Sequence, residues 1–380
     1  MSQRKSNIEL LRIVAMLMII SYHIVLHCIN DQLTDADSIA RMGNGLFSNP
    51  QIYRRLFALS FIASWGQTGN VIFLLITGYF LVGRGKRVNL TGIAAKLLGQ
   101  MAFAAIALTL GSALIYGHWD GAAPLTLLDI NNFNYMSWFI GYYYVIVLMG
   151  GLFLNEFLDG LDQKRYLLFV AALFAVTQFF WPAQLLTDIS YNLLVFAVGA
   201  FAYALGGYLH KYNPLGNIRA YVLLVIMVCV NALLYVSYLN DVNTDIAKYW
   251  QQGTGGPFTQ TLMGFNTNSI VPIVCAVCLF ELFIRLPLPT LRPINALAKC
   301  TLMVYLVHDN SLFYSIWNLT DWITPLHDNL AGFLSELLQQ TALSFCVGVA
   351  CYILFLGCRW LLIRAWRGGL LTKQEEEHEG

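Results

Sequence analysis

Residues 8–29 read IELLRIVAMLMIISYHIVLHCI, and this stretch decides the class of fold. It is almost entirely apolar and close to the roughly 20 residues that a helix needs to cross a bilayer. It lacks a clean small-residue cleavage site, so we predict a first membrane helix and not a cleaved signal peptide.

Apolar segments of similar length recur along all 380 residues, of which 58% are hydrophobic and 11% charged. An ordinary soluble domain has roughly 25% charged residues. The composition therefore predicts a polytopic membrane protein, and it excludes a soluble enzyme, a disordered scaffold and a disulfide-linked secreted domain. The net charge of +1 and the lack of a basic stripe with interleaved aromatic residues argue against nucleic acid as a partner.

The predicted fold class is all-α, a polytopic membrane helix bundle of about ten transmembrane helices. The predicted spans are 8–29, 61–82, 93–116, 136–154, 166–182, 190–209, 219–239, 268–286, 299–319 and 334–358. We assign residues 1–360 to one integral membrane domain. Residues 361–380 end in a run of glutamates, and we predict a disordered cytoplasmic tail there.

The distribution of Lys and Arg orients these spans. With the N-terminus in the cytoplasm, 18 of the 22 Lys and Arg residues lie on the cytoplasmic side. The other four are Arg41, Arg54, Arg55 and Lys248. Cytoplasmic loops are enriched in these residues, so an even number of spans predicts that both termini are cytoplasmic.

The first span carries ionisable side chains, which are costly in hydrocarbon and usually mark function. Arg12 and His23 lie eleven positions apart, which places them about 20° apart around a helix and about 16 Å apart along it. Taken separately, each residue has a structural explanation. The Arg12 side chain could extend to the membrane interface, and His23 could form a hydrogen bond with a neighbouring carbonyl group. Their shared stripe favours function, whereas a structural role is favoured for His27 near the outer interface.

The ninth span contains a second polar group, because residues 305–311 read YLVHDNS. His308 falls near mid-span and is followed directly by Asp309 and Asn310. Tyr305 lies one turn earlier on roughly the same face. A functional pocket is one interpretation, and a structural polar contact between helices is the other.

Three further features are candidates. Thr77 and Gly78 in the second span permit close helix packing. The basic residues that follow have two interpretations, the positive-inside rule or phosphate binding; they are Arg84, Lys86 and Arg87. Trp138 at the outer start of the fourth span, with the nearby tyrosines, is typical of an interfacial aromatic belt. Glu281 has the spacing to pair with Arg285 one helical turn later.

At these positions the sequence resembles the acyltransferase-3 family of integral membrane acyltransferases. Residues 7–15 and His23 are similar to the family's opening helix, with its Arg-x-x-Ala motif and later His. Residues 73–80 are similar to its second motif, with Thr77 in place of the usual Ser. Residues 137–139 and 305–308 resemble its aromatic motif and its late Tyr-Leu-x-His motif.

One segment departs from the family pattern. The family often has Arg and Pro at the start of the third span, where this sequence has Lys96 followed by Leu97, Leu98 and Gly99. The resemblance therefore gives no support to a donor-binding role for Lys96.

The resemblance implies transfer of an acetyl or other short acyl group from cytoplasmic acyl-CoA. The donor is a substrate, and no permanently bound cofactor is expected. The implied acceptor is a hydroxyl of a cell-envelope glycan, a lipid-linked sugar or a secreted small molecule. The family's catalytic His carries over to His23 and its Arg to Arg12. We expect a multi-pass protein of the cell membrane, the inner membrane of a bacterium, in contact with its lipids.

The chemistry of these residue types fits such a reaction. Arg12 and Arg84 lie on the side where CoA is made and offer charge-assisted hydrogen bonds to its phosphates. His23 has the chemistry of a general base or of an acyl carrier. The other predicted site residues are His308, Tyr305 and Asp309, for the acceptor or the oxyanion, and Trp138, as a platform for a sugar.

The sequence contains no metal-ligand spacing such as HExxH, no P-loop and no nucleophile elbow, so we predict no metal site. A secondary transporter with intramembrane His, Arg and Asp is the alternative function. Transporters more often show inverted repeats and interrupted helices in both halves. A non-catalytic sensor or assembly protein is a third possibility, and it would tolerate His23→Ala.

Overall fold

The computed structural model describes residues 5–29, 32, 59, 61–62, 64–116, 138–179, 187–252 and 270–379. All regular structure in these ranges is helical, as the all-α prediction requires. The α-helices are α1 Ser6–Ile24, α2 Trp65–Leu81, α3 Leu90–Tyr116, α4 Trp138–Met149, α5 Asn155–Asp159, α6 Gln163–Gln178, α7 Thr187–Tyr212, α8 Ala220–Gln252, α9 Ile270–Ile284, α10 Arg292–Leu297, α11 Thr301–His308, α12 Ser311–Trp317, α13 Ile323–Asp328 and α14 Leu330–Glu379.

Six stretches in the described part of the chain are long and apolar enough to cross a membrane. They are Ser6–Ile29, Trp65–Gly85, Leu90–Ile115, Trp138–Asp159, Leu193–Tyr212 and Leu330–Ala365, with shorter apolar helices at Ala220–Val236 and Ile270–Ile284. The protein is therefore a multi-pass membrane helix bundle. The count of about ten spans and the cytoplasmic position of both termini stay predictions.

The ninth predicted span, 299–319, is not one continuous helix. α11 ends at His308, Asp309 has non-helical dihedral angles, and α12 begins at Ser311. Asn310 is extended, and its side-chain oxygen accepts hydrogen bonds from the N–H groups of Leu312 and Phe313. Polar side chains that satisfy backbone groups at the break make non-helical backbone tolerable at membrane depth.

The C-terminal helix also differs from expectation. α14 runs for 50 residues from Leu330 to Glu379. The residues for which the sequence predicted a disordered tail, 361–380, are thus helical as far as Glu379.

α1 lies between two hydrophobic cores. Met16, Ile20 and their neighbours pack with residues of α11 and α14 in the first core. Ile8, Leu11 and Ala15 pack with α2, α7 and α9 in the second. Because one helix contributes to both cores, side chains on different faces of α1 meet residues from both parts of the bundle.

Glycines allow α2 and α7 to approach very closely. A Cβ atom on Gly78 would lie 1.9 Å from the backbone oxygen of Tyr203, and one on Gly206 would lie 2.2 Å from that of Leu75. Neither position has room for a side chain. The predicted role of the Thr77–Gly78 pair in close helix packing is confirmed at Gly78.

Candidate active site

The first helix carries Arg12 and His23 on one continuous α-helical segment, Ser6–Ile24. The helical spacing predicted from the sequence, about 16 Å along the axis, therefore applies. Directly after Ile24 the helix widens into a π-helical turn, Val25–Ile29. Such turns are rare and occur frequently at functional sites.

His23 and His308 form a buried pair between α1 and α11. Nδ1 of His23 lies 3.0 Å from Nε2 of His308, although the residues are 285 positions apart in sequence. Nδ1 of His308 lies 2.7 Å from the Val304 carbonyl oxygen, which only accepts hydrogen bonds. Nδ1 of His308 is therefore the protonated nitrogen. When both imidazoles are neutral, Nε2 of His308 accepts from Nδ1–H of His23, which leaves the lone pair of His23 on Nε2.

Asp309 adds a buried carboxyl group to this pair. Its Oδ1 lies 3.5 Å from Nδ1 of His23, and it accepts a 2.5 Å hydrogen bond from the Tyr314 hydroxyl. The Tyr305 hydroxyl is also hydrogen-bonded to Asp309. We call His23, His308, Asp309 and Tyr314 the histidine cluster. It combines a base with groups that orient it, which is the arrangement that proton-transfer catalysis needs.

His27 lies at the edge of the histidine cluster. Its ring stacks on that of Tyr314, with the centroids 3.9 Å apart and the planes at 15°. The ring centroids of His27 and His23 are 5.7 Å apart. His27 thus supports the tyrosine that holds Asp309.

A cavity of about 210 Å³ lies next to the histidine cluster. Three cationic residues from different segments line it, namely Arg12, Lys96 and Lys299. Most of its other lining residues are apolar or aromatic, including Met16, Ile19, Phe73, Leu97, Phe139, Ile140 and Leu302, with Thr77, Tyr143 and Tyr305 supplying hydroxyl groups. We call this space the basic cavity. Its chemistry suits an anionic ligand with a long, mostly apolar arm.

Tyr305 connects the basic cavity to the histidine cluster. Its side chain lines the cavity, and its hydroxyl is hydrogen-bonded to Asp309 and to the backbone of Phe139. Arg12 reaches the cavity from the opposite end of α1 and pairs with Glu9 at 3.3 Å. The structure thus brings together Arg12, Tyr305, His23, His308 and Asp309, all of which were singled out from the sequence.

Two other predicted site residues lie elsewhere. Arg84 is exposed in the 3-10 helical segment Val82–Arg87 and does not line the basic cavity. Trp138 is 39% exposed at the start of α4 and packs against Phe139 and Tyr142, also outside the cavity lining. Ser137, the first residue of the predicted aromatic motif, lies outside the described residues.

Sequence reasoning missed Lys299 and undervalued Lys96. Both line the basic cavity with Arg12. The sequence analysis used Lys299 only to orient the chain and found no support for a donor-binding role of Lys96. A basic residue at a helix end has the same sequence pattern whether it obeys the positive-inside rule or binds a ligand. Phe139, a neighbour of Trp138, is the member of the aromatic motif that faces the cavity.

A second, partly buried polar cluster joins α9 to the turn after α7. The Arg285 guanidinium donates to Oε1 of Glu281 at 2.7 and 2.8 Å, which confirms the predicted i, i+4 pair. It also donates to the carbonyl oxygens of Leu215 and Ile218. We call these four residues the ion-pair cluster. Each of its guanidinium nitrogens donates a hydrogen bond within the protein.

Comparison with known proteins agrees with the chemistry of the site. The chain matches the model of the acyltransferase-3 family, described as an acyltransferase domain, over residues 5–359. No curated protein and no solved structure is similar enough to the chain to count as a match. The matched range contains Arg12, His23 and His308. The chain therefore belongs to the acyltransferase-3 family of membrane acyltransferases.

Proposed function

We propose that the protein transfers an acetyl or other short acyl group from acyl-CoA to a hydroxyl group of a cell-envelope glycan, a lipid-linked sugar or a secreted small molecule. The observation that carries this proposal is the 3.0 Å contact between Nδ1 of His23 and Nε2 of His308. With both imidazoles neutral, this contact leaves Nε2 of His23 as the basic nitrogen, near a cavity lined by three cationic residues.

In the proposed reaction Nε2 of His23 accepts the proton of the acceptor hydroxyl. The hydroxyl oxygen attacks the thioester carbon, a C–O bond forms, and the C–S bond breaks. The proton then passes from His23 to the leaving sulfur and gives free CoA. Asp309, 3.5 Å from Nδ1, stabilises the transient imidazolium.

The basic cavity is the proposed donor site. Arg12, Lys96 and Lys299 match the phosphates of CoA in charge. The apolar walls match the pantetheine arm, whose length is comparable to the Arg12–His23 rise of about 16 Å. With Arg12 on the cytoplasmic side, as the Lys and Arg distribution predicts, the donor enters from the compartment where CoA is made.

The test is acyl transfer in proteoliposomes. Labelled acetyl-CoA is supplied with an envelope-glycan or lipid-linked acceptor, and wild type is compared with His23→Ala. We expect label on the acceptor with wild type and a loss of about 10²- to 10⁴-fold with His23→Ala, the usual worth of a general base. His210→Ala is the matched control, because it removes an imidazole that contacts Tyr79 on α2, outside the histidine cluster.

The same preparation distinguishes the two possible roles of His23. Without acceptor, wild-type protein that is denatured rapidly at neutral pH in the cold and retains label on His23 indicates an acyl carrier, whereas unlabelled protein indicates a base; acid is avoided because it hydrolyses acyl-imidazoles. If folded wild type transfers no acyl group from acetyl-CoA, succinyl-CoA or longer donors, the proposed function is wrong. Solute flux that needs no acyl-CoA would then identify a transporter.

A further inference from the structure

Phe139 and Tyr305 form a partition between the basic cavity and the histidine cluster. Both residues line the cavity, with ring centroids 5.8 Å apart. Among the described residues, Ile19 of α1 also lines the cavity, whereas His23 and His308, one turn further along α1 and α11, do not. The Tyr305 ring also contacts that of His308, with the centroids 5.9 Å apart, so the pair lies on the side of the cavity that faces the histidine cluster.

The two rings are held differently. The Tyr305 hydroxyl is hydrogen-bonded to Asp309 and to the Phe139 backbone. These two hydrogen bonds hold the Tyr305 ring in place. The Phe139 side chain is buried and makes only apolar contacts in the described part of the site, including one with Phe73 at a centroid distance of 6.4 Å. Phe139 is therefore the part of the partition whose size can change without breaking a polar network.

The position of the partition relates it to the acyl group. If the thioester carbon is to meet His23, CoA must extend from the cationic residues toward the rings. The acyl group is the leading end of the donor, so it must fit past Ile19 and Phe139 before the thioester carbon can meet His23. Protein interiors are close-packed. Each methylene added to the acyl chain therefore needs space that the rings of Phe139 and Tyr305 occupy.

We propose that Phe139 sets the maximum length of the acyl group that the enzyme accepts. This inference rests on the proposed function, because it assumes that the basic cavity binds acyl-CoA. One methylene too many in a tight apolar pocket lowers reactivity by about 10- to 200-fold. The wild-type protein should therefore prefer acetyl-CoA to butyryl-CoA and hexanoyl-CoA.

The experiment measures kcat/KM for acetyl-CoA, butyryl-CoA and hexanoyl-CoA with wild type, Phe139→Ala and Phe139→Trp. We expect Phe139→Ala to raise the butyryl-to-acetyl ratio by about 10-fold or more. Phe139→Trp should lower it. Leu97→Ala is the matched control, since it enlarges the same cavity beside Lys96 and should leave the ratio unchanged.

Two outcomes separate the inference from the proposed function. If wild type transfers acyl groups and His23→Ala does not, but folded Phe139→Ala and Phe139→Leu keep the wild-type ratio, only the inference is overturned. An equal change of the ratio in Leu97→Ala would also overturn it. If wild type uses none of the three donors, the proposed function itself fails.

Discussion

The histidine cluster is polar and buried and the ion-pair cluster polar and partly buried, and the two differ in how completely their hydrogen-bonding groups are used. In the ion-pair cluster every guanidinium nitrogen of Arg285 donates to Glu281 or to a backbone carbonyl. In the histidine cluster the internal bonds use Nδ1 of His23 and direct its lone pair to Nε2. A saturated cluster stabilises a fold, whereas a cluster that keeps one basic atom available supports chemistry.

The largest expected effect comes from removing that basic atom. Glutamine at His23 approximates the volume of the imidazole but cannot accept a proton at neutral pH. We expect His23→Gln to lower kcat for acyl transfer by about 10³-fold with little change in thermal stability. Single-turnover transfer and a melting curve on the same preparation check this. Activity within a factor of two of wild type would contradict the catalytic role proposed for His23, and with it the functional difference between the two clusters.

A smaller effect is expected at His308, which orients His23 and does not touch the reacting atoms in the proposed mechanism. His308→Ala removes the acceptor for Nδ1–H of His23, and we expect kcat to fall about 10- to 100-fold. His308→Gln restores an acceptor, so it should recover most of the loss. The measurement is kcat for both variants at saturating donor. A failure of Gln to rescue would indicate that His308 itself carries a proton.

The cationic residues of the basic cavity should affect donor binding more than chemistry. We expect Arg12→Ala and Lys299→Ala each to raise the KM for acetyl-CoA by about 5- to 10-fold, because each charge-assisted contact to a phosphate is worth about 1 kcal/mol at a partly exposed site. Steady-state kinetics at two salt concentrations test this. A fall in kcat alone would place these cations outside the donor site.

The smallest effect on transfer is expected at Arg285. Arg285→Ala leaves the Glu281 carboxylate and two carbonyl oxygens without their partner. It should lower the free energy of unfolding by about 2 kcal/mol, while the rate per folded molecule changes less than about twofold, as for a site outside the reaction. Thermal melting in detergent with a parallel activity assay measures both. A large loss of kcat with unchanged stability would give the ion-pair cluster a catalytic role.

The sequence predicted the parts of the site that are local. Arg12 and His23 share one helix, so their spacing followed from helical periodicity. The Glu281–Arg285 pair followed from the i, i+4 rule in the same way. The contact between His23 and His308 joins residues 285 positions apart. The periodicity of a helix predicts only contacts between residues of that helix, so it cannot predict this one. The sequence analysis assigned both residues to one predicted site, but it predicted no contact between them.

Other features were beyond the sequence for identifiable reasons. The break at Asp309 and Asn310 follows an apolar run that reads as one helix, and the capping by Asn310 depends on where that helix ends. Lys299 has the charge and position that the positive-inside rule predicts for a cytoplasmic helix end. That it lines the same cavity as Arg12 follows only from the packing of the helices. Which ring of the aromatic motif faces inward was likewise fixed by the packing of α4.

The position of α1 in both hydrophobic cores has a consequence for biosynthesis. α1 is synthesised before α11, and His308, the partner of His23, follows 285 residues later. At about 5–20 residues per second, this delay is roughly 15–60 s. During that time the residues of α1 that pack with α11, among them Met16 and Ile20, lack this partner. The candidate active site is thus completed only after α11 has been translated, and we expect truncation before α11 to abolish acyl transfer.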